Sequence, residues 1–361
     1  MIWRPSILTR HLAREIISST LGILIAFLGL FAFFDFVNEL DSIGDGYGVS
    51  DALVYVALIL PGRVYELLPV VVLIGSLYAL TTLARNSEVT VMRASGLSIV
   101  MMLRTLAGIG TVFVVATFLV GEYIAPPAER AAQQWRLSAT GSAVSNQLRS
   151  GVWVRDDSRF VNVARVFPDG SVQGLSIYDF DEERVLRSIR VAERGEFDAV
   201  RRVWQLSGVS ETRFGEERIE LEQIEDLAWQ TALRPEVLSV LMVSPERMSV
   251  TALLAYLVHL KENRQDAHRV EIALWKKLTY PLAVFVMMAL ALPFALKHDR
   301  MGAVSIKVFL GVMLGVGFHM LNGLFGNLGL INAWPPALAA ITPSILFLLA
   351  ATVMLFQVER R

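Results

Sequence analysis

Histidine is the side chain best suited to acid–base catalysis or metal binding. The sequence has five, and their spacing matches no metal-ligand motif. They are His11, His259, His268, His298 and His319. The sequence contains no Gly-Lys pair, so it lacks the phosphate-binding loop of P-loop ATPases. It also has no His-Glu-x-x-His and no Gly-x-Ser-x-Gly. Because there is no cysteine, disulfides, thiolate metal sites and cysteine nucleophiles are excluded. We therefore predict no catalytic residue, no metal and no bound cofactor.

Ionisable side chains inside long apolar stretches are candidate functional groups. His319 lies one helical turn from Asn322, and a hydrogen bond to a neighbouring helix is its alternative role. Arg63 and Glu66, three residues apart, predict either an internal ion pair or the charged rim of a substrate cavity. The others lie mostly near the ends of their stretches, where a long side chain reaches the aqueous interface: Asp35, Arg104, Glu122, Lys276, Lys277 and Lys307.

Two arginines, Arg130 and Arg136, follow the third apolar stretch. A guanidinium group binds phosphate bidentately, so both are candidates for contacting anionic lipid headgroups. A solvated surface position is the alternative for each.

The segment from Ala84 to Leu97 predicts a short, separate helix. Asn86 or Ser87 can cap its N-terminus, and Glu88 in the first turn is favourable to the helix dipole. Gly96 suits the left-handed position that follows a helix C-terminus. This pattern predicts about two and a half turns of helix.

One side of that helix has a small apolar face, Val89 and Met92, beside the charged Glu88 and Arg93. A capped amphipathic helix between two membrane spans fits the groove of a soluble partner. A merely solvated connector is the alternative.

Six stretches are long and apolar enough to cross a hydrocarbon core about 30 Å thick: 16–37, 53–83, 99–124, 274–296, 304–325 and 336–357. Hydrophobic residues make up 54% of the 361 and charged residues 19%, against about 45–50% and 25% in soluble domains. Most of the charges lie between Pro126 and Glu271, which predicts one water-soluble insert in a membrane protein. The net charge of −1 gives no indication of nucleic-acid binding.

Two of these regions leave local alternatives. The second stretch contains Pro61 and Pro69, so it is either one kinked span or a short surface helix leading into a span. Before the first stretch, Leu8, Leu12 and Ile16 are spaced four apart. They predict either an amphipathic helix on the inner membrane surface or an extension of the first span.

The distribution of basic residues predicts the orientation of the spans. The N-terminus, the turns near Arg85 and Arg300 and the C-terminal tail all carry lysine or arginine. The alternate short loops, 38–50 and 326–335, carry none. Under the positive-inside rule, both termini are therefore cytoplasmic and the insert faces the other side.

The insert changes from a helical period to the alternation of β-strands between Gly151 and Ile224. Turn residues recur about every ten positions, for example at 168–170. This predicts an antiparallel sandwich or open roll. The expected domains are residues 1–125 with three spans, 126–248 with the β domain, and 249–361 with a helical return and three further spans.

Several segments resemble the LptF/LptG family of lipopolysaccharide export permeases: NSEVTVMRASG at 86–96, LPV at 68–70 with LIG at 73–75, GEYIAP at 121–126, SIYDF at 176–180, and WKKL at 275–278 with PL at 281–282. The first is the most specific, and the likeness covers the whole chain. It implies an α-helical membrane protein with six transmembrane helices, arranged three plus three around a periplasmic β-jellyroll-like domain.

The resemblance also implies partners. The chain would pair with an LptF-like permease, bind two LptB-like ATPase subunits and associate with an LptC-like bitopic protein of the bacterial inner membrane. The complex would extract lipopolysaccharide from the outer leaflet and drive it to a periplasmic bridge, with ATP bound by the ATPase. The segment 86–96 would be the coupling helix, with Glu88 as its acidic coupling residue among the contact residues Asn86, Ser87, Glu88, Val89, Met92 and Arg93.

In this family, basic residues near the outer ends of the first three spans contact lipopolysaccharide phosphates. Arg63 and Arg136 match or neighbour such positions, with Arg130 close by. The resemblance also places Asp35 among the headgroup positions, where some members have a lysine in place of this acid. An acyl-chain cavity would be lined from the first and fifth spans by Phe27, Phe31, Met313, Val316 and His319.

Three other functions remain open from the residues alone. The insert could house a lipid-modifying active site at its acidic clusters, 156–157 and 181–183. The chain could be the permease of another ABC exporter, moving a lipoprotein or peptide, or a scaffold that transports nothing.

Overall fold

The computed structural model describes residues 7–44, 47–96, 98–140, 152–156, 159–167, 171–181, 183, 185–198, 201–215, 218–231, 244–262, 265–296 and 304–360. Some positions used in the sequence predictions lie outside these ranges: Arg4, Asp157, the turn 168–170, Glu182, Lys297, Arg300 and Arg361.

The α-helices of the described residues, in chain order, are α1 (Ile7–Leu40), α2 (Val49–Arg85), α3 (Glu88–Ala94), α4 (Ile99–Leu119), α5 (Ala125–Thr140), α6 (Val250–Glu262), α7 (His268–Thr279), α8 (Ala283–Leu296), α9 (Val304–Ile331) and α10 (Pro336–Glu359). A π-helical turn, Val120–Ile124, joins α4 to α5, and a 3-10 turn, Tyr280–Leu282, joins α7 to α8.

Six helical segments in the described part of the chain can span a membrane, and each overlaps a predicted stretch: Ile7–Leu40, Val49–Arg85, Ile99–Arg136, His268–Ala295, Val304–Ile331 and Pro336–Gln357. The six predicted stretches therefore correspond to six helical segments that are long and apolar enough to span a membrane. α2 continues through Pro61 and Pro69, as one span rather than two helices. α1 is also a single helix of 34 residues, about 51 Å long, so the stripe that begins at Leu8 extends the first span.

The helical unit comprises residues 1–37, 57–129 and 268–361. Its core forms where α2 and α8 bury their side chains, whereas most of α1 and α9 remains exposed. Gly75 allows α1 to approach α2 closely, because a Cβ there would lie 2.7 Å from the Cα of Thr20. This glycine belongs to the LIG segment noted above.

The second unit comprises residues 38–56 and 130–267. Its six antiparallel strands are β1 (Val152–Asp156), β2 (Arg159–Val166), β3 (Val172–Phe180), β4 (Leu186–Asp198), β5 (Val203–Phe214) and β6 (Ile219–Trp229). They pair in chain order, as a meander. One face buries an apolar core that includes Val161, Leu175, Ala192 and Trp204. The antiparallel sheet is as predicted, but this strand order lacks the crossed connections of a jellyroll within the described residues.

Candidate functional site

Local backbone geometry separates α3 from its neighbours. α2 ends at Arg85, and Ser87 takes a left-handed conformation with φ of 62° at the N-cap position. Its side chain makes no capping hydrogen bond, so the predicted capping interaction is wrong although the position is right. Ser95 is the C-cap, and Gly96 has the predicted positive φ, 96°. The resulting helix of seven residues is shorter than the two and a half turns expected.

The apolar face of α3 points into the chain itself. Val89 and Met92 are 4% and 8% exposed and belong to the same buried cluster as Leu12 and Ile16 of α1. The sequence predicts that this face meets a partner's groove, but both side chains are already buried in that cluster. The same burial fixes α3 firmly to the helical unit.

The outward face of α3 is polar with one apolar side chain. Val91 is 64% exposed, and Thr90 and Arg93 are exposed on the same helix. Asn86 and Ser87 are exposed in the preceding turn. The sequence did not single out Val91, although it lies two residues from the buried Val89 and therefore on a different side of the helix.

Glu88, at the first position of α3, is paired with a histidine from the start of the chain. His11 Nε2 lies 2.9 Å from Glu88 Oε2, and the two side chains are 44% and 37% exposed. A carboxylate oxygen accepts, so the imidazole Nε2–H donates. No sequence signal linked these residues, which are 77 positions apart.

Arg63 lies in an ion network in the helical unit, in which each of its three guanidinium nitrogens donates to a carboxylate. Its Nε and Nη2 donate to the two carboxylate oxygens of Asp35, at 2.9 and 2.6 Å, and its Nη1 donates to Glu66 at 3.0 Å. The guanidinium also lies over the ring of Phe31, 5.7 Å from the centroid. The pairing with Glu66 is the simpler of the two predicted roles, and Asp35 occupies the bidentate geometry that a phosphate would need.

Arg136 is engaged in a similar way in the second unit. Its Nε donates to Glu39 at 3.1 Å, its Nη2 donates to Ser42 at 3.0 Å, and its guanidinium lies 5.3 Å from the Tyr55 ring centroid. The buried Tyr47 donates to the same Glu39 carboxylate, and burial together with this hydrogen bond raises the pKa of Tyr47. Arg136 thus ties α5 to the loop after α1. Arg130 is exposed.

The predicted cavity residues fall into two groups. Phe27 and Phe31 on α1 are half-buried. Met313 and Val316 on α9 are 54% and 47% exposed, and His319 is exposed as well. The α9 residues therefore lie on a surface that the described residues do not cover.

Lys277 on α7 is a buried lysine, and its burial is not evident from the sequence. Lys277 is 6% exposed and lies 4.3 Å from the ring centroid of Tyr65, while its neighbour Lys276 donates to the carbonyl of Asn322. Tyr280 donates to the carbonyl of Glu66 at 2.5 Å. Their position near the start of a span favours side chains that reach the aqueous interface, whereas the structure buries Lys277 and engages Lys276 with a backbone carbonyl. The WKKL segment is the sequence signal that marks both.

The sheet carries its own charged network, at one end of the core face. The buried Glu211 accepts from Arg190 and from Arg213, each at 2.8 Å. Burial opposes ionisation, but the two hydrogen bonds outweigh it and lower the pKa of Glu211. These residues line a cavity of about 930 Å³ together with Arg187, Ser188, Phe214, Gly215, Arg218 and Glu220.

The acidic clusters that would serve a lipid-modifying enzyme do not form a site in the described residues. Asp181 accepts from the backbone N–H of Val185 at 2.8 Å and from Arg187. The backbone bond is the largest cause of its lowered pKa. Among the same residues, no group of three or more His, Asp or Glu side chains is arranged to hold a metal ion. Asp181 thus stabilises a turn.

Comparison with known proteins decides the identity of the chain. Residues 10–357 match the family described as lipopolysaccharide export system permease LptF/LptG. The chain belongs to the LptF/LptG family. It is 33% identical to the lipopolysaccharide export system permease protein LptG of Escherichia coli K12 over 355 residues, covering 97% of this chain and 98% of that protein. It is 29% identical to LptG of Haemophilus influenzae over 347 residues, covering 94% and 96%.

Membership of the LptF/LptG family confirms the resemblance drawn from the sequence segments. Together with the six apolar helices, it identifies a multi-pass protein of the inner membrane. A member of this family is a transporter component and not a catalytic enzyme.

Proposed function

We propose that this chain, a permease subunit of a lipopolysaccharide export system, converts ATP hydrolysis by partner subunits into extraction of lipopolysaccharide from the inner membrane. The observation that carries this proposal is the match to export permeases along nearly the entire chain. Because the sequence has no phosphate-binding loop, the nucleotide must bind to another subunit. The proposed partners are two LptB-like ATPases, an LptF-like permease and an LptC-like bitopic protein.

We assign the contact with the ATPase to the outward face of α3. Glu88 supplies the acidic group, and Asn86, Ser87, Val91 and Arg93 supply the exposed surface around it. Val89 and Met92 contribute by anchoring α3 to the α1 core, so that movement of the ATPase is passed to the membrane helices. In this arrangement both termini are cytoplasmic and the sheet is periplasmic.

The exposed apolar faces of α1 and α9 supply the surface for the acyl chains. Extracting a lipid from a bilayer costs ~0.8 kcal/mol per CH₂ unless apolar side chains replace the membrane. Met313 and Val316 on α9 are exposed where such a wall is needed, and Phe27 and Phe31 lie on α1. An LptF-like permease would close the other side of the cavity.

The proposed headgroup contacts require exchange of ion pairs. A lipid phosphate reaches the Arg63 fork only by displacing Asp35, and reaches Arg136 only by displacing Glu39. Asp35 itself opposes phosphate binding, because it adds a negative charge at the same place. Arg130 is exposed.

The test is affinity purification of the tagged chain from its native membrane in mild detergent, with mass spectrometry of proteins and lipids. We expect an ABC ATPase, a second six-span permease and lipid A in the eluate. Recovery of the chain with neither ATPase nor permease, and with bulk phospholipid only, would overturn the proposal.

The Glu88→Lys variant tests the coupling surface in the same experiment. We expect the ATPase to be lost and the second permease to be retained, because the reversed charge repels a basic partner group. Glu262→Lys, at an exposed position of α6, is the matched control and keeps the ATPase. Continued lipid extraction by a Glu88→Lys complex that no longer binds the ATPase would contradict the coupling role.

A further inference from the structure

The hydrogen bond between His11 and Glu88 connects the first turns of α1 to the beginning of α3. It joins Nε2 of the imidazole to Oε2 of the carboxylate at 2.9 Å. The Glu88 side chain makes no other hydrogen bond or ion pair within the part of the chain that the structure describes. Among these residues, the second carboxylate oxygen, Oε1, therefore accepts no hydrogen bond.

Apolar packing fixes the two ends of this hydrogen bond. Leu12 and Ile16, on the buried side of α1, share one core cluster with Val89 and Met92 of α3. His11 immediately precedes Leu12, and Glu88 immediately precedes Val89. The backbones that carry the imidazole and the carboxylate are thus fixed relative to each other, so only the side-chain torsions remain to be set.

A glutamate side chain on a helix surface samples several rotamers, and fixing it costs up to about 2 kcal/mol. A hydrogen bond that already holds the carboxylate removes part of this cost before a partner docks. The hydrogen bond from His11 goes to Oε2, and the Glu88 side chain is still 37% exposed. The geometry is that of an acceptor oriented in advance for an incoming cation.

We propose that His11 is a positioning residue for the coupling contact, which holds the Glu88 carboxylate so that Oε1 meets a basic group of the docked ATPase. The inference rests on the proposed function, since it needs α3 to be the docking surface. If His11 has this role, the start of α1 takes part in coupling together with α3. Because α1 is one helix from Ile7 to Leu40, displacement of α3 also displaces the first membrane span.

The experiment uses the permease complex in nanodiscs, titrated with its purified ATPase. His11 is replaced by glutamine in one variant and by asparagine in another. The side-chain amide nitrogen of glutamine lies about as far from the backbone as Nε2 of histidine, whereas that of asparagine is one methylene closer to the backbone. His11→Gln keeps the donor to Glu88 and His11→Asn removes it. His11 is half-exposed, so neither amide disturbs the core. Arg14→Gln, at an exposed position of α1, is the control.

We expect His11→Asn to weaken ATPase affinity about twofold to fivefold, the range of a partly exposed pair. We expect His11→Gln and Arg14→Gln to bind like the parent. ATP turnover at saturating ATPase stays unchanged, because the hydrolytic site lies on the partner. In a Glu88→Gln background, His11→Asn has no further effect, since both changes remove the same contact.

Two results would overturn the positioning role. One is parental affinity in His11→Asn, and the other is an equal loss of affinity with and without Glu88. If Glu88→Lys also binds the ATPase normally, the coupling assignment fails as well. If Glu88→Lys abolishes binding while His11→Asn leaves it intact, only the role of His11 fails.

Discussion

The carboxylates of Glu88 and Asp35 both pair with a basic side chain in the helical unit, but their surroundings differ. Glu88 makes a single contact to His11, and both side chains are more than one third exposed. Asp35 is 11% exposed and binds Arg63 through both oxygens, with Glu66 as a third partner. Exposed single contacts are weak and exchange easily, whereas breaking a buried bidentate pair is costly.

The difference bears on the roles that the sequence predicts for the two regions. The sequence predicts that Arg63 contacts the lipid, whereas in the structure three of its N–H groups donate to Asp35 and Glu66. Glu88 has one side-chain partner among the described residues, and its side chain is 37% exposed. The two regions therefore differ in the number of ion pairs and in exposure, which the sign of a charge in the sequence does not reveal.

The largest expected effect comes from breaking the buried pair. Asp35→Ala leaves Arg63 with one carboxylate in place of two, and we expect a loss of about 2–4 kcal/mol in stability. Thermal denaturation of the purified complex measures this loss. Asp41→Ala, an exposed acid, is the control and leaves the denaturation temperature unchanged. Asp35→Ala with parental stability would show that the pair does not hold α1 to α2.

Replacing valine by threonine at two positions of α3 distinguishes its buried face from its exposed face. Val89→Thr places a hydroxyl in the core and should cost about 1–2 kcal/mol. Val91→Thr should change stability by less than about 0.5 kcal/mol. Hydrogen exchange of the α3 peptide measures the loss of stability in Val89→Thr. Titration with the ATPase measures whether Val91→Thr changes the affinity of the exposed face. Equal destabilisation by both variants would contradict the observed orientation of the helix.

The smallest expected effect is a pH dependence in the sheet, where Glu211 is an acid held by two arginines. Its lowered pKa means that the carboxylate stabilises the fold above its unfolded pKa of about 4.3, and that this stabilisation is lost as the pH falls through the lower folded value. Hydrogen exchange in β5, corrected for intrinsic rates, should therefore accelerate in this acidic window.

Glu211→Gln should remove that pH dependence, since the amide does not titrate. Glu220→Gln, whose side chain is 59% exposed on the neighbouring strand, should keep it. An unchanged pH profile in Glu211→Gln would assign the acid sensitivity of the sheet to other carboxylates.

The sequence by itself determined the features that depend on neighbouring residues. Runs of about twenty apolar side chains specify the six spans, since a helix is the structure that satisfies its backbone in a membrane. Alternation specifies the strands of the insert, and Gly96 marks the end of α3. Family membership followed from the contiguous segment 86–96 and was confirmed along the whole chain.

Only the tertiary structure decided which side chains meet across distant parts of the chain. His11 meets Glu88 from 77 positions away, and Asp35 meets Arg63 from 28. The sequence identified Val89 and Met92 as an apolar face, but in the structure that face is buried in the core cluster that also contains Leu12 and Ile16. Periodicity defines the faces of a helix, but its neighbours decide which face is buried and which charge is left to exchange.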